Sequence, residues 1–268
     1  EPALVDALRA RSVDVAVPAW DDDAVDWSAF DVAVIRSTWN YVPRRDDFVA
    51  WAERASGATR LFNPPDVLRD NSDKIYLRDL AAQGVPVVPT TFVDMGASAE
   101  EVVAGARAAG LRDVVVKPRV SAGSFFTERF DLERDAARAT RFLADRLTER
   151  PMMLQPYQDT IATSGERSLC FVDGEITHHV RKSPRFSGEA VVVSDALPLE
   201  ADLVHLADRV LAPVRERILY GRVDMLRDEA GMPRIMEVEL IEPYLVFGKA
   251  PSALERLADA MIREATRR

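Results

Sequence analysis

The 268-residue sequence predicts an N-terminal α/β domain with a small parallel sheet, followed by two α+β lobes. Three observations predict it. Strand and helix signals alternate through the first third, the pattern of βαβ units. The middle third runs helix, strand, turn, strand, helix, strand, which makes a compact lobe with its own sheet. The last third opens on a hairpin turned at Asp173-Gly174 and ends with two carboxylate-bearing strands and a helix. The expected divisions are 1–92, 93–158 and 159–268.

Element by element, the chain opens helix-like at Ala3-Leu4-Val5-Asp6-Ala7-Leu8. Parallel α/β domains usually open with a strand, so a strand ahead of Glu1 is expected in the natural protein. Strands are predicted at 13–17, 31–35 and 60–63, with an amphipathic helix over 46–56 and another over 73–83. Gly84-Val85-Pro86 ends that second helix, with glycine just past it and proline soon after. A strand over 87–93 leads into the middle lobe: helix 98–110, strand 113–117, turn 118–123, strand 124–130, helix 132–147 and strand 152–157. After the hairpin come a loop at 183–188 and a helix over 200–219. Two strands joined by a turn at 228–233 follow, then a helix over 252–267.

Composition narrows the function. With 47% hydrophobic and 29% charged residues the chain has the balance of an ordinary globular protein. Its net charge of −9 and pI near 5.0 argue against nucleic acid or an anionic membrane as partner, because both require clustered cations. Small molecules are the expected partners, with assembly into a homo-oligomer left open. Cys170 is the single cysteine, and no signal-peptide pattern or run of roughly 18 apolar residues occurs. A cytoplasmic location is expected.

Chemistry concentrates near the end of the chain. Arg222-Val223-Asp224 and Glu237-Val238-Glu239 sit on neighbouring strands, and residues two apart share a strand face. Three carboxylates and a guanidinium at adjacent strand tips suit magnesium-bound phosphate, since magnesium takes a few hard oxygen ligands alongside substrate phosphates. A plain ion-pair lattice is the bland alternative. Neither GxxxxGK[ST] nor GxGxxG occurs, so phosphate must be held some other way. Val114-Val115-Val116-Lys117-Pro118 offers one, a buried strand ending in lysine ahead of a small-residue loop. Cys170 and the pair His178 and His179 are read as packing and wall residues.

Lys74 in Asn71-Ser72-Asp73-Lys74, then Lys117, then Met152-Met153-Leu154-Gln155-Pro156-Tyr157, then Gly165-Glu166-Arg167-Ser168 and the carboxylates form an ordered set. In that order they resemble the ATP-grasp superfamily, specifically its glutathione synthetase-like carboxylate–amine ligases, over nearly the whole chain from about Val13. The resemblance implies a nucleotide set of Lys74, Lys117, Ser121, Gly123, Ser124, Gln155, Tyr157, Glu166 and Met236. Asp224, Glu237 and Glu239 would hold Mg²⁺, two ions being expected and Mn²⁺ an expected substitute. Arg222 would stabilise charge on the transferred phosphoryl group. Two positions depart from many relatives, which carry arginine at Ser168 and asparagine at Glu239.

Arg36-Ser37-Thr38-Trp39-Asn40-Tyr41 follows the strand at 31–35, and ligands in open parallel sheets bind beyond the carboxyl ends of strands. Arg36, Ser37 and Thr38 are therefore expected to bind substrate, although a structural loop anchored by Trp39 fits the same residues. Arg181, Lys182 and Arg185 would meet that ligand from the other side, the first two as catalytic residues. The reading is an ATP-dependent ligase that activates a small carboxylate as an acyl phosphate for attack by an amine. Within the family, the segment 36–41 with Asn71-Ser72-Asp73-Lys74 resembles the group containing D-cycloserine ligase, which closes a ring within one amino-acid derivative. A kinase of the same fold and a non-catalytic nucleotide-binding module are the rival readings.

Overall fold

The computed structural model describes residues 1–183 and 192–267. Helix α1 (Pro2–Arg9) buries Leu4 and Leu8. Strand β1 (Val32–Val34), helix α2 (Arg45–Ala58) and strand β2 (Arg60–Phe62) form the expected βαβ unit, with β1 and β2 parallel and Val32 opposite Arg60. Phe48, Trp51 and Ala52 on one side of α2 pack with Trp20 and Tyr41. The expected strand at 13–17 does not form. Val13 and Val15 instead pack, half-buried, on the apolar cluster around α1, because no strand lies alongside to pair with them.

The helix expected over 73–83 is divided. Helix α3 (Pro65–Asn71) and helix α4 (Tyr76–Ala82) flank a short break, where the Lys74 amide donates to Arg119 O at 3.1 Å. That bond pins Lys74 to the middle lobe. There β3 (Thr91–Val93), α5 (Ala99–Ala108), β4 (Asp113–Pro118), β5 (Glu128–Asp131), α6 (Ala136–Leu147) and β6 (Met152–Pro156) give a wholly antiparallel sheet ordered β3-β6-β4-β5. Val103, Leu143 and Leu147 of the two helices cover Val114, Val116, Phe130 and Leu154. Strand β5 starts four residues later than expected. Gly123, Ser124 and Phe126 all have positive φ, which a strand cannot accommodate.

Helix α7 (Thr160–Ser164) precedes the second antiparallel sheet, formed by β7 (Glu166–Val172), β8 (Glu175–Lys182), β9 (Tyr220–Arg227) and β10 (Pro233–Glu239), in the order β10-β9-β7-β8. Asp173 and Gly174 both take positive φ, as a two-residue hairpin turn requires. Helix α8 (Ala201–Leu211) packs on one face against Leu169, Phe171, Val223 and Met225. Helix α9 (Pro251–Thr266) packs on the other against Cys170, Val172 and Tyr220. Cover on both faces explains why β7 and β9 are buried almost without alternation.

Side-chain amides tie the first domain to this sheet. Buried Asn63 donates to Tyr220 O and Leu240 O at 2.9 and 2.7 Å and accepts from Leu219 N. Asn71 and Tyr76 do the same for Val238 and Leu240, so there the outer edge of β10 is satisfied by side chains, while at Ile235 it pairs with the backbone of Pro86 and Val88. No described helix is long and apolar enough to cross a membrane.

Candidate active site

The register of the second sheet assembles the site. Asp224 lies opposite Glu237 on one side and Ser168 on the other, while Arg222 lies opposite Glu239. Lys182 pairs in register with Glu166. A bulge between Ile235 and Glu237 inserts Met236, so two residues of β10 span one step of β9 and the following carboxylates come into line with Asp224 and Arg222.

Arg222 is the hub of these charges. Its Nε and Nη2 donate to Asp224 at 2.9 and 2.8 Å, Nη2 also reaches Glu239 Oε1 at 2.6 Å, and Nη1 donates to Tyr244 O at 3.0 Å. Ser168 Oγ donates to Asp224 Oδ1 at 2.6 Å. Lys182 Nζ pairs with Glu166 and lies 3.3 Å from Asp224 Oδ2. Burial alone would raise the Asp224 pKa, but Arg222 and Lys182 outweigh it and hold the carboxyl well below the usual range. Glu239 goes the other way. Burial, reinforced by the charges of Asp224 and Glu237, overcomes Arg222 and pushes it up to about 8.

The lysines face this cluster, Lys117 from the middle lobe and Lys74 from the break between α3 and α4. Lys74, itself buried, donates from Nζ to Ser121 O and Ser121 Oγ at 2.8 and 3.2 Å and pairs with Glu237 at 3.0 Å. Glu237 is thereby lowered despite its burial, with Lys117 adding to the pull. Lys117 follows Val115 on the same face of β4, and burial followed by the charge of Lys74 lowers its pKa.

Between the two sheets lies a cavity of about 740 Å³. Its apolar wall is Val88, Val115, Ile161, Leu226 and Met236. Gln155, fixed by a 2.9 Å bond to Thr90, and Tyr157, under the Arg129 guanidinium at 3.5 Å, stand at the hinge beside that wall. Lys74, Lys117, Ser121, Gly123 and Ser124 line the next part, with Glu166, Lys182, Arg222, Asp224, Glu237 and Glu239 facing them.

Four predicted site residues are not brought to this cavity. Arg36 pairs with Glu1 at 3.0 Å, donates to Pro243 O at 3.0 Å and lies over the Tyr220 ring. Ser37 also donates to Glu1, and Thr38 Oγ1 is buried with no partner among the described residues. Arg181 corrects the expectation that it joins Lys182: neighbours on a strand point to opposite faces, and its side chain lies over Gly165, where a Cβ would stand 2.6 Å from Arg181 Cγ. Arg185 lies outside the described residues. His178 and His179 point to opposite faces of β8 and neither lines the cavity; His178 Nε2 bonds Leu245 O at 2.9 Å. Cys170 is buried and its thiol is pushed up to about 12, first by burial, which fits packing.

Sequence reasoning missed Glu242 and Tyr244, and used Trp39 and Tyr41 only as parts of a loop. All four line the cavity. Burial pushes Glu242 up to about 7, and the Tyr41 hydroxyl donates to it. The available signal was Glu242-Pro243-Tyr244, polar residues just past the last carboxylate strand.

Among the described residues no three carboxylates, histidines or cysteines are gathered as a metal site, because Arg222, Lys182 and Lys74 occupy the carboxylate oxygens. The donor set nonetheless fits magnesium. Asp224, Glu237 and Glu239 are hard oxygen donors on one cavity wall, and their mutual repulsion on Glu239 is what a divalent cation would relieve.

Comparison with known proteins agrees with this geometry. Residues 1–63 match the family model described as the N-terminal domain of D-cycloserine synthetase DcsG. The cycloserine biosynthesis protein DcsG of Streptomyces lavendulae is 34% identical, over 97% of this chain and 92% of the relative. The chain belongs to the DcsG family of ATP-grasp ligases. The crystal structure of D-cycloserine synthetase DcsG superposes with a TM-score of 0.88 and 34% identity, covering 99% of this chain and 94% of that one. The ATP-grasp ligase PsnB, solved with a minimal precursor, Mg and ADP, shares the fold at a TM-score of 0.67 and 17% identity, over 99% and 93% of the two chains. D-Alanine–D-alanine ligase from Bacillus anthracis, solved with ATP, gives 0.67 and 14%, over 98% and 90%. As a DcsG-family protein this chain is an ATP-dependent, ADP-forming carboxylate–amine ligase.

Proposed function

We propose that this ligase closes a ring within one small amino-acid derivative, of the kind whose amide becomes part of D-cycloserine. A carboxylate oxygen attacks the γ-phosphorus of ATP, the bond to the β-phosphate oxygen breaks, and ADP leaves. The amine nitrogen then attacks the acyl carbon, gives up a proton, and expels phosphate as the carbon–nitrogen bond forms. The observation that carries this reading is one cavity in which Lys74 and Lys117 face Arg222 and three carboxylates of the last lobe.

Lys74 and Lys117 are suited to hold the phosphates, with the backbone of Ser121, Gly123 and Ser124 closing over them. Val88, Val115, Leu226 and Met236 are suited to sandwich the base, with Gln155 and Tyr157 at its polar edge. Asp224, Glu237 and Glu239 would hold the metal, two Mg²⁺ ions with Mn²⁺ as a substitute, which supplies charge neutralisation between the phosphates. Arg222 stabilises the oxyanion of the tetrahedral intermediate, and Lys182 with Glu166 keeps the Asp224 side of the cluster neutralised. No nucleophilic side chain is needed, because phosphoryl transfer depends on positioning and charge.

The test is product chromatography with the amino acid obtained by hydrolysing the ring amide of D-cycloserine. ADP, phosphate and the closed ring are expected in equal amounts. AMP with pyrophosphate, or a phosphorylated acid that persists without ring closure, would overturn the reading.

A further inference from the structure

Five carboxylates line the cavity: Glu166, Asp224, Glu237, Glu239 and Glu242. Four of them have a cation within ion-pair distance. Glu166 has Lys182, Asp224 has Arg222 and Lys182, Glu237 has Lys74, and Glu239 has Arg222. Glu242 has none among the described residues; its side-chain partner is the Tyr41 hydroxyl. A half-buried carboxylate whose donors are its own backbone amide and the Tyr41 hydroxyl, with the charge of Lys74 acting only from beyond ion-pair distance, is incompletely neutralised, a costly state that an incoming cation would relieve.

Its surroundings name the chemistry of that cation. Trp39, two residues before Tyr41, and Tyr244, two residues after Glu242, line the same cavity and are 59% and 65% exposed, while Tyr41 is buried at 3%. A carboxylate flanked by exposed aromatic faces is a setting for an ammonium group, which gains both a charge-assisted bond and cation–π attraction. The position also fits. Tyr244 accepts from Arg222 through its backbone oxygen, so this corner adjoins the guanidinium at the reaction centre.

The geometry points to Glu242, oriented by Tyr41 and flanked by Trp39 and Tyr244, as the subsite that selects substrates carrying a primary ammonium group beside the carboxylate to be activated. This assignment rests on the ligase reading, and it makes α-amino acids, as opposed to plain carboxylic acids, the substrate class. Glu242 is a specificity-determining residue; the phosphates and the metal remain with the lysines and the other four carboxylates.

The test pairs two ligands with two variants. Calorimetry on the ADP- and Mg²⁺-loaded protein measures affinity for D-cycloserine and for the same ring lacking its amino group. ADP release is followed in parallel with the ring-opened amino acid and its desamino counterpart. Glu242→Gln keeps the shape and a hydrogen bond to Tyr41, and is expected to weaken the amino ligands by about tenfold or more while leaving the desamino ligands unchanged. Tyr41→Phe is expected to show the same selectivity loss in smaller measure, with kcat moving less than KM. Equal weakening of both ligands, or wild-type affinity of Glu242→Gln for D-cycloserine, would overturn the assignment. If no compound releases ADP but amino discrimination still collapses in Glu242→Gln, ring closure fails and the ammonium subsite stands. A wild-type protein that binds neither ring refutes both.

Discussion

The strand pair β9–β10 and the segment 36–41 each carry an arginine with polar neighbours, the first within a strand and the second just past one, yet only the first delivers its arginine to the cavity. Arg222 sits inside a regular ladder, where its direction is fixed by Asp224 two residues on and by Glu239 across the register. Arg36 lies two residues past Val34, the end of a three-residue strand, and precedes Ser37, whose φ is +49°, so the chain turns away before periodicity can aim it. Its guanidinium ends on Glu1 and Pro243 O. Residue type proposes a site in both regions; the backbone's regularity decides which side chain arrives.

The comparison breaks most visibly at Arg222. In Arg222→Ala the carboxylates of Asp224 and Glu239 lose their shared guanidinium while Asp224 remains buried, and leaving such charge unpaired costs about 3–5 kcal/mol. We expect no measurable ADP release and a clear drop in denaturant midpoint. Glu237→Gln separates chemistry from folding, because the amide keeps the shape beside Lys74. Turnover should fall by more than about tenfold, roughly 1.4 kcal/mol in the barrier, with a smaller drop in denaturant midpoint than in Arg222→Ala, since Lys74 keeps its bonds to Ser121. Wild-type turnover in Glu237→Gln would remove the carboxylates from the metal site and leave them an ion-pair lattice.

A smaller effect tests how the two regions are joined. Asn63 satisfies two carbonyls and one amide of the β9–β10 region from the first domain. Asn63→Ala should lower unfolding free energy by about 2–3 kcal/mol in urea titration, since buried groups left unsatisfied cost about 1–3 kcal/mol. Smaller again is a pH effect at His178. Burial lowers its pKa below the ordinary 6.5, although its bond to Leu245 O opposes this. The unfolded chain then binds the proton more readily than the folded one, so His178 contributes stability above pH 6.5 that is lost as pH falls towards the lowered folded value. His178→Gln keeps a donor without titrating, and should flatten that part of the stability profile. Identical profiles would remove His178 from the pH response.

What the sequence made legible follows the same division. Val114, Val116 and the carboxylate strands announced themselves by period, and the Asp173-Gly174 turn by the positive φ it requires, so both antiparallel sheets were foreseeable. The strand expected at 13–17 was not, because alternation reports a face to bury and says nothing of a neighbour to pair with. Strand phase also shows why Arg181 and Lys182 part company, a distinction available from the sequence once β8 was drawn. Glu242 and Tyr244 were less accessible. They lie beyond the last strand, in a segment with no period, and their place in the cavity depends on the fold around Arg222.

The sharpest remaining contrast is Arg36→Ala, where the expected effect on nucleotide is none. Arg36 is not among the residues lining the cavity, and its three interactions, with Glu1, Pro243 O and the Tyr220 ring, all belong to the packing within the first domain and of that domain on β9 and the segment after β10. ATP affinity measured by calorimetry with Mg²⁺ should therefore match wild type. Stability should fall by about 1–2 kcal/mol, the scale of a lost charge-assisted bond at a largely buried guanidinium. The effect on KM for the amino acid should be smaller than that of Glu242→Gln, because any path from Arg36 to substrate runs through Pro243, between Glu242 and Tyr244, and is not a direct contact. If Arg36→Ala instead raised that KM more than Glu242→Gln while the protein stayed folded by circular dichroism, the segment 36–41 would carry substrate after all. The contrast between ladder and loop would then fail at the residue on which it was drawn.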